Sequence, residues 1–265
     1  MADSRPIGIF DSGLGGLTVV GAIQHALPNE SIIYLGDTAR VPYGNKSPVT
    51  VKDYAHQITN FLLSRDAKLI VVACNTASAL ALESLQDTFD IPIIGVIEPG
   101  VEAALQTTRN GHIGIIGTIA TITSEAYQSK LKASNGDLTI SAQSCPLFVP
   151  LVEEGWLDGP IVEQIIQKYL TPVNDSSADT LVLGCTHYPL LKPAIQNFVK
   201  PGTILVDSAD VVATKTAELL DTLNLAANGG EGSLECFVTD LPARFESVAS
   251  RFLGSAISNV EIVHL

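Results

Sequence analysis

An alternation constrains this chain more than any other feature. Short runs of β-branched and aliphatic residues are separated by longer amphipathic stretches. The runs Ile7–Phe10, Ile32–Leu35, Leu69–Val72, Ile93–Val96, Ile113–Ile116, Thr139–Ala142, Leu181–Leu183 and Ile204–Val206 read as strands. Most are apolar on successive residues, as expected of strands covered on both faces. Helices read between them at Leu17–Ala26, Val51–Ser64, Ala77–Thr88, Glu98–Thr107, Ser124–Ala133, Ile161–Leu170 and Asp210–Leu223. Strand–helix–strand alternation means βαβ units and parallel sheets, an α/β fold. The tail reads as a strand at Glu235–Thr239, a helix at Pro242–Arg251 and a strand at Val260–Val263, after an Asn/Gly-rich loop at Leu225–Ser233.

The alternation also repeats. Gly8-Ile9-Phe10-Asp11-Ser12 is similar to Gly114-Ile115-Ile116-Gly117-Thr118, and Ile70–Thr76 is similar to Leu181–His187, at nearly the same offset. Two matches in step predict two similar α/β halves. Each half puts a hydroxyl after its first strand and a cysteine after a later one.

Bulk properties narrow the function. The 265 residues carry a net charge of -13, which argues against a nucleic-acid surface. A small anionic ligand remains compatible, because a local site can differ in sign from the whole surface. The four cysteines, Cys74, Cys145, Cys185 and Cys236, form no C-x-x-C pair and have no histidine at zinc-finger spacing. No metal site is expected. Four cysteines are too sparse for a disulfide framework. The start, MADSRPIGIF, lacks the pattern of a signal peptide, and no apolar stretch is long enough to span a bilayer. The expectation is a cytoplasmic protein with free thiols and no membrane partner.

Cys74 and Cys185 carry the chemistry. Each follows a strand and precedes a stretch read as helical, where open α/β sheets bind ligands. A helix N-terminus at that point would favour a thiolate. Taken singly, each is better read as a small apolar residue filling a strand end. Two in matching contexts, followed by Asn75-Thr76 and Thr186-His187, favour a reactive pair. These neighbours can direct donors into the crevice, and Asn75 and Thr76 can also cap a helix. His187 alone of the five histidines adjoins a candidate thiol, as a proton partner or thiolate stabiliser.

Three other stretches matter. Asp11-Ser12-Gly13-Leu14-Gly15-Gly16 is a glycine-rich turn after the first strand, without the Lys of a Walker A loop. Asp11 would repel a phosphate and suits an orienter or base beside a thiol and an ammonium group. Gly36–Gly44 contains a Pro42-Tyr43-Gly44 turn that can expose backbone N–H groups and a phenol. Glu153 and Glu154 lie among apolar residues beside the chain's single tryptophan, Trp156, so one of them is expected to be partly buried.

FDSGLGGLTV, GDTARVPYG, ACNTASA, LVEEGW and GCTHYPLL together resemble the glutamate racemases. The cysteine motifs are shared with the wider aspartate/glutamate racemase superfamily; the first two motifs and CTHYP point to glutamate. The resemblance implies two parallel-sheet α/β domains related by a pseudo-twofold axis, with the active site between them. The domains expected are 1–97 plus 208–265, and 98–207. It implies that Cys74 and Cys185 act at the substrate Cα from opposite faces, assisted by Asp11 and His187, with Glu153 supporting His187. Ser12, Pro42, Tyr43, Gly44, Asn75, Thr76, Thr118, Thr121 and Thr186, with Asp11 and His187, would hold the substrate. Family members are often homodimers, although no interface is marked in this sequence. Some carry an N-terminal extension linked to activation by a cell-wall precursor. The first strand here begins within a few residues of Met1, so that regulation is not expected. The product D-glutamate would feed peptidoglycan synthesis.

The chemistry is consistent with this. Racemisation removes a proton from one face of Cα and delivers one to the other, which two opposed bases do without swinging a single base around the substrate. No lysine lies in any motif, which argues against a Schiff-base cofactor, so none is expected. The competing readings are an aspartate racemase or maleate-type cis–trans isomerase using the same thiols, a non-catalytic two-lobed anion-binding protein, and a nucleotide-binding protein using the glycine-rich turn. The last is weakened by Asp11 and the missing phosphate lysine.

Overall fold

The computed structural model describes residues 3–257 and 259–265. The first half runs β1 (Ile7–Asp11), α1 (Leu17–Ala26), β2 (Ile32–Gly36), α2 (Pro48–Ser64), β3 (Leu69–Val72), α3 (Asn75–Thr88) and β4 (Ile93–Gly95). The second runs α4 (Ile97–Thr107), β5 (His112–Gly117), α5 (Ile119–Thr123), α6 (Ala126–Ser134), β6 (Thr139–Ser144), α7 (Phe148–Glu153), α8 (Pro160–Asp175), β7 (Thr180–Gly184), α9 (Lys192–Phe198) and β8 (Ile204–Val206). The chain closes with α10 (Ala209–Thr222), β9 (Leu234–Val238), α11 (Pro242–Leu253) and β10 (Val260–Ile262).

These strands form two sheets, ordered β10-β9-β2-β1-β3-β4 and β6-β5-β7-β8. Every pairing is parallel. The order β2-β1-β3-β4 in one sheet is repeated as β6-β5-β7-β8 in the other. The two sequence repeats fall on β1 with β5 and on β3 with β7, so the internal similarity reflects equivalent strands. In each half the strand order reverses beside the first strand, which opens a crevice at the carboxyl ends of β1 and β3, and of β5 and β7. The tail returns to the first sheet, where β9 lies beside β2. One buried apolar cluster contains residues of both halves, including Ile7, Val71, Leu181 and Leu183.

Local signals account for most element ends. Ser47 caps α2 by accepting from Thr50 N, and Pro48 occupies the first turn, where its missing N–H costs nothing. Helix α8 runs through Pro172 to Asp175, past the expected end at Leu170, because both Leu170 and Val173 belong to its buried stripe. The helix expected at Ser124–Ala133 is α6 (Ala126–Ser134), and a short helix not expected from the sequence, α5, precedes it. Thr118 caps the short α5, and the left-handed Glu125 (φ 56) separates it from α6. No described helix is long and apolar enough to cross a membrane.

At the amino ends of β2 and β3, Lys68 and Glu30 form a buried ion pair at 2.6 Å. Lys68 Nζ also donates to the carbonyls of Asp3 and Leu225, and Glu30 Oε1 accepts from Ala227 N. The pair thus ties the N-terminal segment and the loop before β9 to the first sheet. Lys68→Met leaves Glu30 as an uncompensated buried charge, so the expected loss is about 3–5 kcal/mol of unfolding free energy. Urea denaturation of the two proteins measures it.

Candidate active site

The two sheets turn their carboxyl ends toward a cavity of about 430 Å³. Its wall takes Ser12 and Gly13 from the turn after β1, and Val41–Asn45 from the loop after β2. Cys74, Asn75 and Thr76 come from the junction of β3 and α3, and Thr118 and Ile119 from the end of β5. Pro146, Val149, Pro150 and Glu153 come from α7 and its approach, and Cys185, Thr186 and His187 from the end of β7. Both candidate thiols therefore border one space, each beyond a central strand of its own sheet. Of the residues expected to act on or hold the substrate, only Asp11 and Thr121 are not on the wall, and both are buried. Among the described residues, none that lines the cavity is Lys or Arg.

The two thiols have different surroundings. Cys74 caps α3, and its sulfur accepts from Ala77 N at 3.5 Å and lies 3.7 Å from Ser12 Oγ. Burial pushes this thiol up to about 12, and the nearby Asp11 charge adds to the effect; the Ala77 and Ser12 contacts oppose it. The helix N-terminus expected to favour a thiolate is thus present at Cys74 but outweighed by desolvation. At Cys185 it is absent. The chain continues into a 3₁₀ turn at Tyr188–Leu191 before α9, because a helix begun directly after Cys185 would carry Pro189 and Pro193 beyond its free first N–H groups, where each would lack the N–H that bonds four residues back. What faces Cys185 is a ring: His187 Nδ1 lies 3.9 Å from its sulfur.

His187 is held from the far side by Glu153 Oε1, 3.1 Å from Nε2. Burial works against its charged form, but hydrogen bonds to Cys185 and Glu153, with the charges of Cys185 and Asp11, carry it up to about 10. Of the two glutamates at the end of α7, the side chain of Glu153 is 26% exposed and faces His187; that of Glu154 is 65% exposed and pairs with Arg244. Trp156 is half exposed and outside the wall.

Polar groups line the rest. Asp11 accepts from Gly13 N at 2.9 Å and from Thr186 Oγ1 at 3.5 Å, which links the turn after β1 to the end of β7. Burial raises its carboxyl, while His187 and backbone N–H groups pull it back. The hydroxyls of Thr76, Thr118 and Thr121 lie 2.9–3.1 Å from one another, across the two halves. Asn75 Nδ2 donates to Tyr127 OH at 2.9 Å, while its buried Oδ1 has no partner among the described residues.

The Pro42–Gly44 turn comes close because a small residue allows it. A Cβ at Gly44 would stand 2.7 Å from Thr118 Cβ. Tyr43 is fixed behind the turn by a hydrogen bond to the buried Asp37, which also binds Arg40 and Thr239 Oγ1. Sequence reasoning missed Asp37, although it stands within the Gly36–Gly44 motif. It also missed the apolar wall of Val41, Ile119, Pro146, Val149 and Pro150, whose residue types do not differ from those of a core.

The chain matches known proteins over its length. Residues 15–216 match the family model described as Asp/Glu/hydantoin racemase. A glutamate racemase from Geobacter metallireducens is 51% identical over 98% of this chain and 97% of its own length. Two solved structures superpose closely. A glutamate racemase from Francisella tularensis, in complex with D-glutamate, is 40% identical with a TM-score of 0.93 over 99% of this chain and 98% of that one. A glutamate racemase isoform from Bacillus anthracis is 39% identical with a TM-score of 0.95 over 98% of both chains.

Proposed function

Because the chain belongs to the Asp/Glu/hydantoin racemase family, we propose that it interconverts L- and D-glutamate without a cofactor, using Cys74 and Cys185 as opposed acid/bases. The observation that carries the reading is the shared cavity, with one thiol beyond β3 and the other beyond the equivalent β7.

In each direction one thiolate takes the Cα proton and the other thiol supplies a proton to the opposite face. The raised affinity of Cys74 suits the role of proton donor in the resting protein. The charged His187 beside Cys185 suits stabilisation of a thiolate there. Turnover in the reverse direction exchanges these roles. The substrate ammonium lowers the cost of charging Cys74, and the buried Asp11 behind the wall supplies a negative charge that favours the ammonium.

The carboxylates fall to neutral donors, since among the described residues no cationic Lys or Arg lines the cavity. Ser12, Tyr43, Gly44, Asn75, Thr76, Thr118 and Thr186 make up that set through hydroxyls, amides and backbone N–H groups, and Thr121 behind the wall holds the Thr76 and Thr118 hydroxyls. The free N–H groups in the first turn of α3 add to it. The apolar wall excludes water, which strengthens each hydrogen bond to the carbanion formed during transfer. The product supplies D-glutamate for peptidoglycan synthesis in the cytoplasm.

The decisive experiment is proton NMR of L-glutamate in deuterated buffer, with purified protein and no added cofactor. Loss of the Cα–H signal together with appearance of D-glutamate supports the reading. Exchange with aspartate and not glutamate reassigns the substrate, and exchange with neither removes racemisation.

The turn after β1 offers an independent check. A Cβ at Gly15 would overlap Thr186 Oγ1 and stand 2.5 Å from His187 Nδ1. Gly15→Ala is expected to displace both side chains and lower kcat by about 10²-fold, as ångström-scale misplacement does. A racemisation assay alongside a thermal melt measures it.

A further inference from the structure

The last quarter of the chain carries no motif, yet one of its helices reaches the site. The buried residues of α11 are Phe245, Val248, Ala249 and Phe252, spaced as one helix face. The helix packs on α1 and β10, and its Phe252 end reaches the residues that follow β7.

At its far end α11 grips the His187–Glu153 pair. The Phe252 ring lies 5.2 Å from the His187 ring at 81°, an edge-to-face contact. The adjacent Arg251 donates from Nη1 to the Glu153 carbonyl at 2.9 Å. Its guanidinium covers Gly155, where a Cβ would lie only 2.9 Å from Arg251 Cζ. Two turns earlier, Arg244 Nη2 pairs with Glu154 Oε1 at 2.9 Å. One helix thus holds three consecutive residues at the end of α7, and the imidazole that they face.

We propose that α11 positions the His187–Glu153 pair against Cys185, with Phe252 and Arg251 as the residues that set it. Glu153 ends a six-residue helix, whose last carbonyls have no partner within the helix. Arg251 satisfies the Glu153 carbonyl and places a cation at the negative end of the helix. With the backbone of Glu153 pinned, its carboxylate meets His187 Nε2, and Nδ1 is left facing the thiol. Two polar contacts alone leave an imidazole free to tilt. The edge of Phe252 removes that freedom, as a supporting contact must for a site held to a fraction of an ångström. The arrangement is one-sided. Cys74 rests on Ser12 and the first turn of α3, and no such brace reaches it among the described residues. Phe252 and Arg251 are positioning residues, since they act through His187 and Glu153.

The inference rests on the reading of His187 as the partner of Cys185. Its test therefore includes a signal that needs no turnover. In the full-length chain, Arg251→Ala, Arg251→Lys and Phe252→Leu are compared with wild type. The measurements are kcat and KM for both glutamate enantiomers, the His187 imidazole NMR resonances, and the thermal midpoint. Arg251 is exposed, so its variants keep the fold if Phe252→Leu does not. The expected result for Arg251→Ala is a kcat lowered about tenfold with KM within about twofold, shifted His187 resonances and an unchanged midpoint. Arg251→Lys restores most of the rate, because it can still donate to the carbonyl. Wild-type kcat with unmoved His187 resonances in Arg251→Ala overturns the proposal. If wild type itself fails to exchange the glutamate Cα proton, the function reading fails instead, and the resonances alone decide whether α11 sets the ring.

Discussion

Cys74→Ala and Cys185→Ala are each expected to lower glutamate racemisation by about 10³–10⁴-fold, the upper part of the roughly 10²–10⁴-fold range for loss of a positioned acid or base. The two effects should be similar. Each turnover needs one proton removed and one delivered, so neither thiol can compensate for the other. Binding should survive, because the hydroxyls, amides and backbone groups around the cavity remain. A thermal-shift titration with D-glutamate measures binding through ligand-linked stabilisation, independently of turnover. Lost exchange with a retained shift in both variants is the pattern of two-base catalysis. Full racemisation in either variant would sink the mechanism. Loss of the shift in both would mean that the variants perturb the pocket itself.

His187→Ala should be the next most damaging change, with kcat lowered by about 10²-fold. Its pH behaviour follows from its surroundings. Burial opposes the charged ring, but the Cys185 and Glu153 hydrogen bonds carry its proton affinity up to about 10. Activity that depends on the imidazolium therefore persists through neutral pH and falls as pH rises through about 10. Glu153→Gln removes one of the groups that raise the affinity, so this alkaline limb should move to lower pH. The same shift acts on stability. A group whose affinity is higher folded than unfolded contributes fully below its unfolded value, about 6.5, and that contribution is lost as pH rises through about 10. Rate profiles of wild type and Glu153→Gln, with denaturation midpoints across the same range, check both statements. An alkaline limb that stays in place in Glu153→Gln would remove Glu153 from the role of supporting the ring.

Much of the site was legible because its chemistry is local. Cys74, Asn75 and Thr76 are consecutive, as are Cys185, Thr186 and His187, and strand ends in α/β proteins are where ligands bind. The repeat placed both motifs on equivalent strands, and that equivalence appears in the structure as two sheets of like order. The surroundings of each thiol were less legible. Both cysteines looked alike in sequence, each between an apolar run and polar residues. In the fold, Cys74 caps a helix while Cys185 meets an imidazole ahead of a 3₁₀ turn. Proline at positions 189 and 193 was the available sign of that difference. Asp37 had a sign as well, a carboxylate within the Gly36–Gly44 motif. The contact of Phe252 with His187 had none, since a phenylalanine in an amphipathic stripe reads as core whether or not an active site lies beneath it.

By itself, the sequence determined the α/β class, the doubling into two halves, and the residues at the ends of β1, β3, β5 and β7. Backbone geometry explains this: hydrophobic period selects the element, and the residue after a strand must lie at the carboxyl end of its sheet. Only the tertiary structure decided that the two carboxyl ends face one cavity. It also decided that Glu153 and not Glu154 turns to His187, that apolar side chains of α7 wall the pocket, and that α11 closes over the imidazole. Those are contacts between segments far apart in the chain. They depend on crossing geometry and packing, which leave no periodic trace in the residues that make them.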